Sequence, residues 1–291
     1  MGNKRSYAIN RFPLSHSCVT SSVDWVTGTT VNDRIGASWF EVLERHRKSF
    51  ISEGRPVEAK HQQLGQYRGK NCENVFWGKS ERQGYMIILR GYTANRWWPD
   101  VLPVARKVSR LDLAVTVYLE NIDKLVARKH YDKLTKKDHS QLQYRFWENG
   151  EGGQTIYAGS PYSDYRGKVY DKSAQRGQDA GKAWRYEVVM KSPKNKELGK
   201  RLFADWSNDK PVYQDIATEV YTWFSDRKIA PVFEVGNGQT FDIETEVVIT
   251  SPEKKLRWLS TQVAPTVTEL LRLGYIKDVG RALGVQLELM V

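Results

Sequence analysis

The sequence predicts an α+β fold: one antiparallel central sheet with packing helices, followed by a helical C-terminal region. Three observations point there. Segments of period-two alternation recur through the first two thirds of the chain, separated by short polar or glycine-bearing turns. Helical segments interrupt them, so the order β-α-β-β-α-β-α-β-β-β-β makes two similar rounds, the pattern of a duplicated β-α-β-β unit. Beyond Lys194 the alternation stops and helical spacing takes over.

Residues 1–22 are polar and basic without periodicity, and read as a flexible arm. Val23 to Thr30 alternates and is rich in β-branched residues, which predicts a strand. Ser38 is the expected N-cap of the next helix, with Glu41 at the capping-box position and Gly54 as its stop. The runs NVFWG and YMIILRG, joined by polar residues, predict a hairpin. A short helix near Asn95 to Leu102 precedes the clearest strand, Val108 to Leu119. A helix over about 122–134 follows, then four strand candidates: QLQYRFWEN, QTIYAGS, YRGKVYDK and AWRYEVVMK.

Composition narrows the function. The 291 residues carry 45 Lys and Arg against 34 Asp and Glu, a net charge of +11. That surplus on a folded chain favours a polyanion, nucleic acid first. Cys18 and Cys72 are too few for a disulfide framework or a thiolate zinc site. No secretory h-region and no apolar run of transmembrane length is expected, so the chain reads as soluble and cytoplasmic. P-loop, dinucleotide and GxSxG motifs do not occur. His16, His46, His61, His130 and His139 form no metal-binding spacing, so any metal acting on phosphate must be held by carboxylates.

Strand parity then gathers a polar face. Along 108–119, Leu111, Leu113, Val115, Val117 and Leu119 make one aliphatic stripe; Arg110, Asp112, Ala114, Thr116 and Tyr118 make the other side. Gln143, Arg145 and Trp147 share a parity, as do Lys168, Tyr170 and Lys172, and as do Arg185 and Glu187. If those strands are neighbours, two carboxylates could hold Mg²⁺ or Mn²⁺ on a phosphodiester while a tyrosine hydroxyl attacks in line. Lys172 would stabilise the phenolate. The same residues also fit a plain network pairing Asp112 and Glu187 with Arg110 and Arg185. Trp97, Trp98, Trp147, Trp184, Trp206, Trp223 and Trp258 could stack bases or simply pack the core. The basic stretch 127–137, with Lys133, Lys136 and Lys137, could track phosphates or be a solvated helix face.

VDWV (23–26), GYMIILRG (84–91), SRLDLAV (109–115), TIYAGSPYSDYRGKVYDK (155–172) and WRYEVVMK (184–191), in that order, carry a resemblance. Together they resemble the histidine-free rolling-circle replication initiators of small plasmids and filamentous phages, and the related relaxases of conjugative elements. The tail RWLSTQVAPTVTELL (257–271) resembles the phage branch. The resemblance implies Tyr170 as nucleophile, with Tyr162 and Tyr165 in the same segment as competitors. It implies Asp112 and Glu187 as ligands of Mg²⁺ or Mn²⁺, with Lys172 and Arg185 supporting phenolate and phosphate. Arg110, Arg145, Lys168, Lys133, Lys136 and Lys137 are the expected DNA-binding residues. The family's acid after the Y-D/E-K unit is replaced here by SAQRG (173–177).

The expected protein therefore binds a duplex origin, nicks one strand through a 5′-phosphotyrosine, leaves a 3′-hydroxyl and later rejoins the strand. Partners would be double-stranded origin DNA, single-stranded DNA, a host helicase and polymerase, and a second copy in a homodimer, with no membrane. Residues 23–194 would form the nicking domain. Residues 195–291, including a helix-turn-helix candidate or a plain helical hairpin in the tail, would serve DNA recognition or oligomer and helicase contacts. The alternatives are a relaxase with the same chemistry and a DNA-binding repressor without turnover.

Overall fold

A computed structural model of the chain describes residues 17–52, 58–119, 125–149, 152–175, 177, 182–210, 212–235, 264–272 and 274–275. The expected arm therefore lies outside the described residues up to position 16, as do Trp258 and most of the tail. Chain contacts divide the protein into Met1–Ile243 and Glu244–Val291. The second unit contributes one described helix, α8 (Ala264–Arg272).

Ten antiparallel strands form one sheet in the order β2-β3-β4-β5-β1-β6-β10-β9-β8-β7. The chain enters on β1 (Ser17–Thr30), crosses through α1 (Asp33–Ser52), and makes a four-strand meander. That meander is β2 (Lys60–Leu64), β3 (Tyr67–Cys72), β4 (Val75–Ser80) and β5 (Gly84–Arg90), and β5 returns beside β1. Helix α2 (Tyr92–Val101) leads to β6 (Lys107–Leu119), next to β1 at the centre. The pattern then repeats through α3 (Val126–Asp132) and α4 (Lys136–Leu142). The second meander is β7 (Arg145–Glu148), β8 (Gln154–Ala158), β9 (Tyr165–Asp171) and β10 (Ala183–Met190), with the short α5 (Lys172–Gln175) before β10. Strand β10 returns beside β6 as β5 returns beside β1.

The mixed α+β class with a large antiparallel sheet is thus as expected, and so are the four strands of the second unit; the first unit has four strands after its helix where only a hairpin was expected. β2 and β3 went unrecognised because KHQQL is polar almost throughout and YRGKNC has apolar residues only at its ends, Tyr67 and Cys72, as an outer strand pair can. β1 begins at Ser17, so its first turn of chain is strand where a loose arm was expected. Helix α1 starts at Asp33, and Asn32 caps it by accepting from the Ile35 amide; Ser38 is internal and bonds back to the Ile35 carbonyl. Gly36 lies on this helix because the Tyr85 ring sits where a Cβ would go, 2.3 Å away.

One face of the sheet is packed. Leu111, Leu113, Val115 and Val117 on β6 join Val19, Val23 and Val26 on β1, all wholly buried. Above them lie Trp39, Val42 and Leu43 of α1 and Trp98 of α2. Leu198 and Leu202 of α6 (Asn195–Ser207) and Ile216, Val220 and Phe224 of α7 (Val212–Ser225) complete the layer. Each such side chain contributes about 1.5–3 kcal/mol by leaving water. Helices α6 and α7 pack on the central strands, so the stretch after Lys194 begins as part of the sheet's own helical layer. Among the described residues, no helix is long and apolar enough to cross a membrane.

Candidate functional site

Alternation leaves the other face of β6 with Arg110, Asp112, Ala114, Thr116 and Tyr118. Register brings the remaining polar residues to it. Arg185 pairs with Thr116 on one side and with Tyr170 on the other; Glu187 lies between Ala114 and Lys168. Asp112, Glu187, Tyr170, Lys168, Arg110 and Arg185 therefore share one patch; parity also put Lys172 there, and it does not join them.

Within it the pairing is specific. Arg110 donates to both Asp112 oxygens, Nε at 2.9 Å and Nη2 at 2.6 Å. Lys168 Nζ donates to Glu187 Oε1, and the Tyr170 hydroxyl donates to Glu187 Oε2 at 3.2 Å. Arg185 is held by Asp24 (3.0 Å), Thr116 (3.1 Å) and Ser22 (3.3 Å). It is also the cross-strand neighbour of Tyr170, and its charge favours the phenolate there.

Burial dominates the electrostatics. The Asp112 carboxyl is pushed up to about 7 by desolvation and by the Glu187 charge, with Arg110 opposing. Burial would raise Glu187 too, but the Lys168 ammonium and then Arg185 hold it below the usual carboxylate range. Tyr170 is raised by burial and by Glu187, while Arg185 pulls the other way.

That donor set fits a hard divalent cation. Mg²⁺ is commonly bound through one or two carboxylates, with water and phosphate oxygens completing the shell. Asp112 feels the Glu187 charge, so the two carboxyls are near enough that both could help hold one ion. Among the described residues no group of three or more His, Cys, Asp or Glu side chains forms a metal cluster. The described histidines do not enter the patch: His46 is wholly buried on α1, and His130 is buried on α3 against the Tyr186 hydroxyl at 3.0 Å.

Not every expected residue is here. Lys172 is the first residue of α5, because β9 ends at Asp171; it does not continue the strand face. Its ammonium still lies 5.5 Å from the Tyr170 ring centre and donates to Gln175. Gln143 has a left-handed backbone as the C-cap of α4 and is not on a strand. Arg145 is on β7, across from Tyr157. Lys133, Lys136 and Lys137 are exposed where α3 ends and α4 begins, and α3 packs into the helical layer, apart from the patch. Tyr162 is 96% exposed in the β8–β9 turn, and Tyr165 opens β9 in contact with the core cluster. Neither is among the partners of Glu187 or Arg185 described above.

Asp24 was missed. A bulge in β1 lets Val23 face Leu113 and Trp25 face Asp112, with Asp24 as the extra residue between them. Val23 and Val26 stay in the core, while Asp24 reaches Arg185 and Trp25 reaches Arg110, whose guanidinium carbon is 3.9 Å from the ring centre. Strict alternation would place Asp24 and Trp25 on opposite faces, so only a bulge-aware reading could have found it.

A family model described as replication initiation factor matches residues 106–281, more than half of the chain. The chain belongs to the replication initiation factor family. The matched stretch opens at β6, so the family's signature covers the half of the sheet that holds Asp112, Tyr170 and Glu187. Among solved structures, a rolling circle replication initiator protein from Geobacillus stearothermophilus is similar over 70% of this chain and 84% of that chain. Identity there is 19% and the TM-score 0.49. No curated protein matches.

Proposed function

We propose that this replication initiation factor is a rolling-circle initiator that nicks one origin strand by tyrosine transesterification, with Tyr170 as nucleophile. One observation carries the reading: the Tyr170 hydroxyl donates to the Glu187 carboxylate, and its cross-strand neighbour is Arg185, whose charge favours the phenolate. A nucleophile beside its base and a charge stabiliser is the arrangement that in-line transfer needs.

Glu187 Oε2 accepts the phenolic proton as Tyr170 Oη bonds to phosphorus. The bond from phosphorus to the 3′ oxygen breaks, and that oxygen leaves as the 3′-hydroxyl after taking up one proton from water, while Glu187 later returns its proton to solvent. The 5′ phosphate stays on tyrosine, so the bond energy is kept for rejoining. Arg185, anchored by Asp24, Thr116 and Ser22, stabilises the phenolate and then the phosphate oxygens. Lys168 keeps Glu187 ionised, ready to accept. Asp112 and Glu187 would hold Mg²⁺ or Mn²⁺, which when bound polarises the phosphodiester and offsets the charge built on it. Origin DNA in double- and single-stranded form, a host helicase and polymerase, and a second copy are the partners this role requires. A cytoplasmic site of action follows from the same role.

The ion pairs Arg110–Asp112 and Lys168–Glu187 also support a second reading, a DNA-binding repressor without turnover. A covalent-adduct assay separates them. Protein, supercoiled DNA of its own replicon and Mn²⁺ are mixed and denatured, and DNA-linked peptides are mapped by mass spectrometry. A nucleotide on Tyr170 is expected. An adduct on Tyr162 or Tyr165 would overturn the site, and binding indifferent to Mn²⁺ without any adduct would favour the repressor. A relaxase would give the same adduct on a transfer origin.

A further inference from the structure

Among the described residues, Trp147 is the one exposed tryptophan, at 55%. Trp39, Trp98 and Trp184 are wholly buried, and Trp97 and Trp223 nearly so. β7 does not need this indole in the core. Its backbone pairs with β8, and its neighbour Phe146 turns to the helical layer and packs there.

Trp147 is on the Tyr170 side of the sheet. It stands opposite Thr155, and Thr155 stands opposite Tyr170. Two strand spacings, about 10 Å, separate the two backbones. Between them is a cleft of about 340 Å³ that both side chains line. Thr155 and Tyr157 also line it, with Asn149 and Gln175, which carry amide groups. Lys168, paired with Glu187, and Asp171 line the cleft together, and two further cations flank it: Arg166 lies 4.2 Å from the Tyr157 ring centre, and Arg145 is across from Tyr157.

A flat aromatic, amides and flanking cations are the groups that hold an unstacked base on its phosphate backbone. A duplex would show this cleft only base edges, whereas a single strand shows it the face of a base. We propose that the Trp147 cleft takes an unstacked nucleobase of the strand that Tyr170 attacks, with the indole as its stacking platform. The identity of that strand rests on the transesterase reading above; the cleft's preference for a base does not depend on cleavage.

The test compares a thymidylate oligomer of about ten nucleotides with an abasic oligomer of equal length, titrated against the full chain by fluorescence anisotropy. The intact protein should bind the thymidylate about tenfold or more tightly than the abasic strand. Trp147→Ala should erase that difference and Trp147→Phe should restore most of it. A 5-iodouracil in the oligomer should photocrosslink to the peptide containing Trp147. A preference that survives Trp147→Ala, or an equal loss for both oligomers, overturns the proposal. Lost self-association with unchanged DNA affinities overturns it too, and assigns the β7 edge to a second copy. Base preference without a Tyr170 adduct keeps the cleft and retires the nicking reading; an adduct without base preference does the reverse.

Discussion

The two halves of the sheet share a connectivity and carry opposite chemistry on the face away from the helical layer. In each, a central strand leads through helix into a four-strand meander whose last strand returns beside the first. On the β6–β10 half that face holds Asp112, Glu187, Lys168, Tyr170 and Arg185. On the β1–β5 half, Ile88 pairs with Phe76 and Met86 with Gly78, and Tyr67, Phe76 and Ile88 form a small apolar cluster. Trp25 is the boundary: it packs on that cluster while the Arg110 and Arg90 guanidiniums approach its ring. The comparison teaches that topology supplies two equivalent platforms and side chains make one of them charged and the other apolar. The family match from residue 106 onward falls on the charged half.

Tyr170→Phe breaks the comparison at its strongest point. It removes one hydroxyl, so nicking should fall by about 10³-fold or more while DNA affinity stays near that of the parent. Glu187→Gln keeps the shape and removes the base and ligand, and cleavage should fall by about 10²–10⁴-fold, read as single-turnover nicking at saturating DNA. On the other half, Phe76→Ala should cost about 3–5 kcal/mol in denaturant unfolding. The fraction that stays folded should nick at the parent rate. Impaired nicking in that folded fraction would show that the apolar half takes part in the chemistry.

Asp24→Asn tests the join between halves. Arg185 loses its charged anchor while keeping Thr116 and Ser22, and cleavage should drop about tenfold with little change in affinity. The smallest effect is a pH slope from the helical layer. Burial, with a smaller push from Lys133, holds the His130 imidazole down at about 4, against 6.5 in the unfolded chain. The unfolded chain therefore takes up that proton first, and stability present at pH 7 is lost as pH falls from about 6.5 to about 4. Asp112 slopes the other way over an overlapping range, since its raised carboxyl is harder to ionise when folded. The His130→Gln difference curve isolates the histidine: it should flatten that loss while leaving an amide for the Tyr186 hydroxyl.

Much of this was legible in the chain. Alternation along Leu111 to Val117 identified the buried stripe and thereby the opposite face of β6. The same rule placed Tyr170 with Lys168 and Arg185 with Glu187. It failed for Lys172 and Gln143, where a strand ends and a helix cap intervenes, because period two says nothing about where a strand stops. It failed for β2 and β3, whose outer position removes the apolar signal, and for Asp24, whose placement depends on a bulge.

The sequence by itself determined the class of fold, the central strand, its two faces and the residue types that could act on phosphate. Those are local properties, set by side-chain alternation within a few residues. Only the tertiary structure decided that Arg185 meets Tyr170, that Glu187 rather than Lys172 contacts the phenol, and that Asp24 anchors the site from a strand some 160 positions earlier in the chain. Register and bulges arise from pairing between distant strands, and that pairing is settled by burying both halves of one sheet under one helical layer.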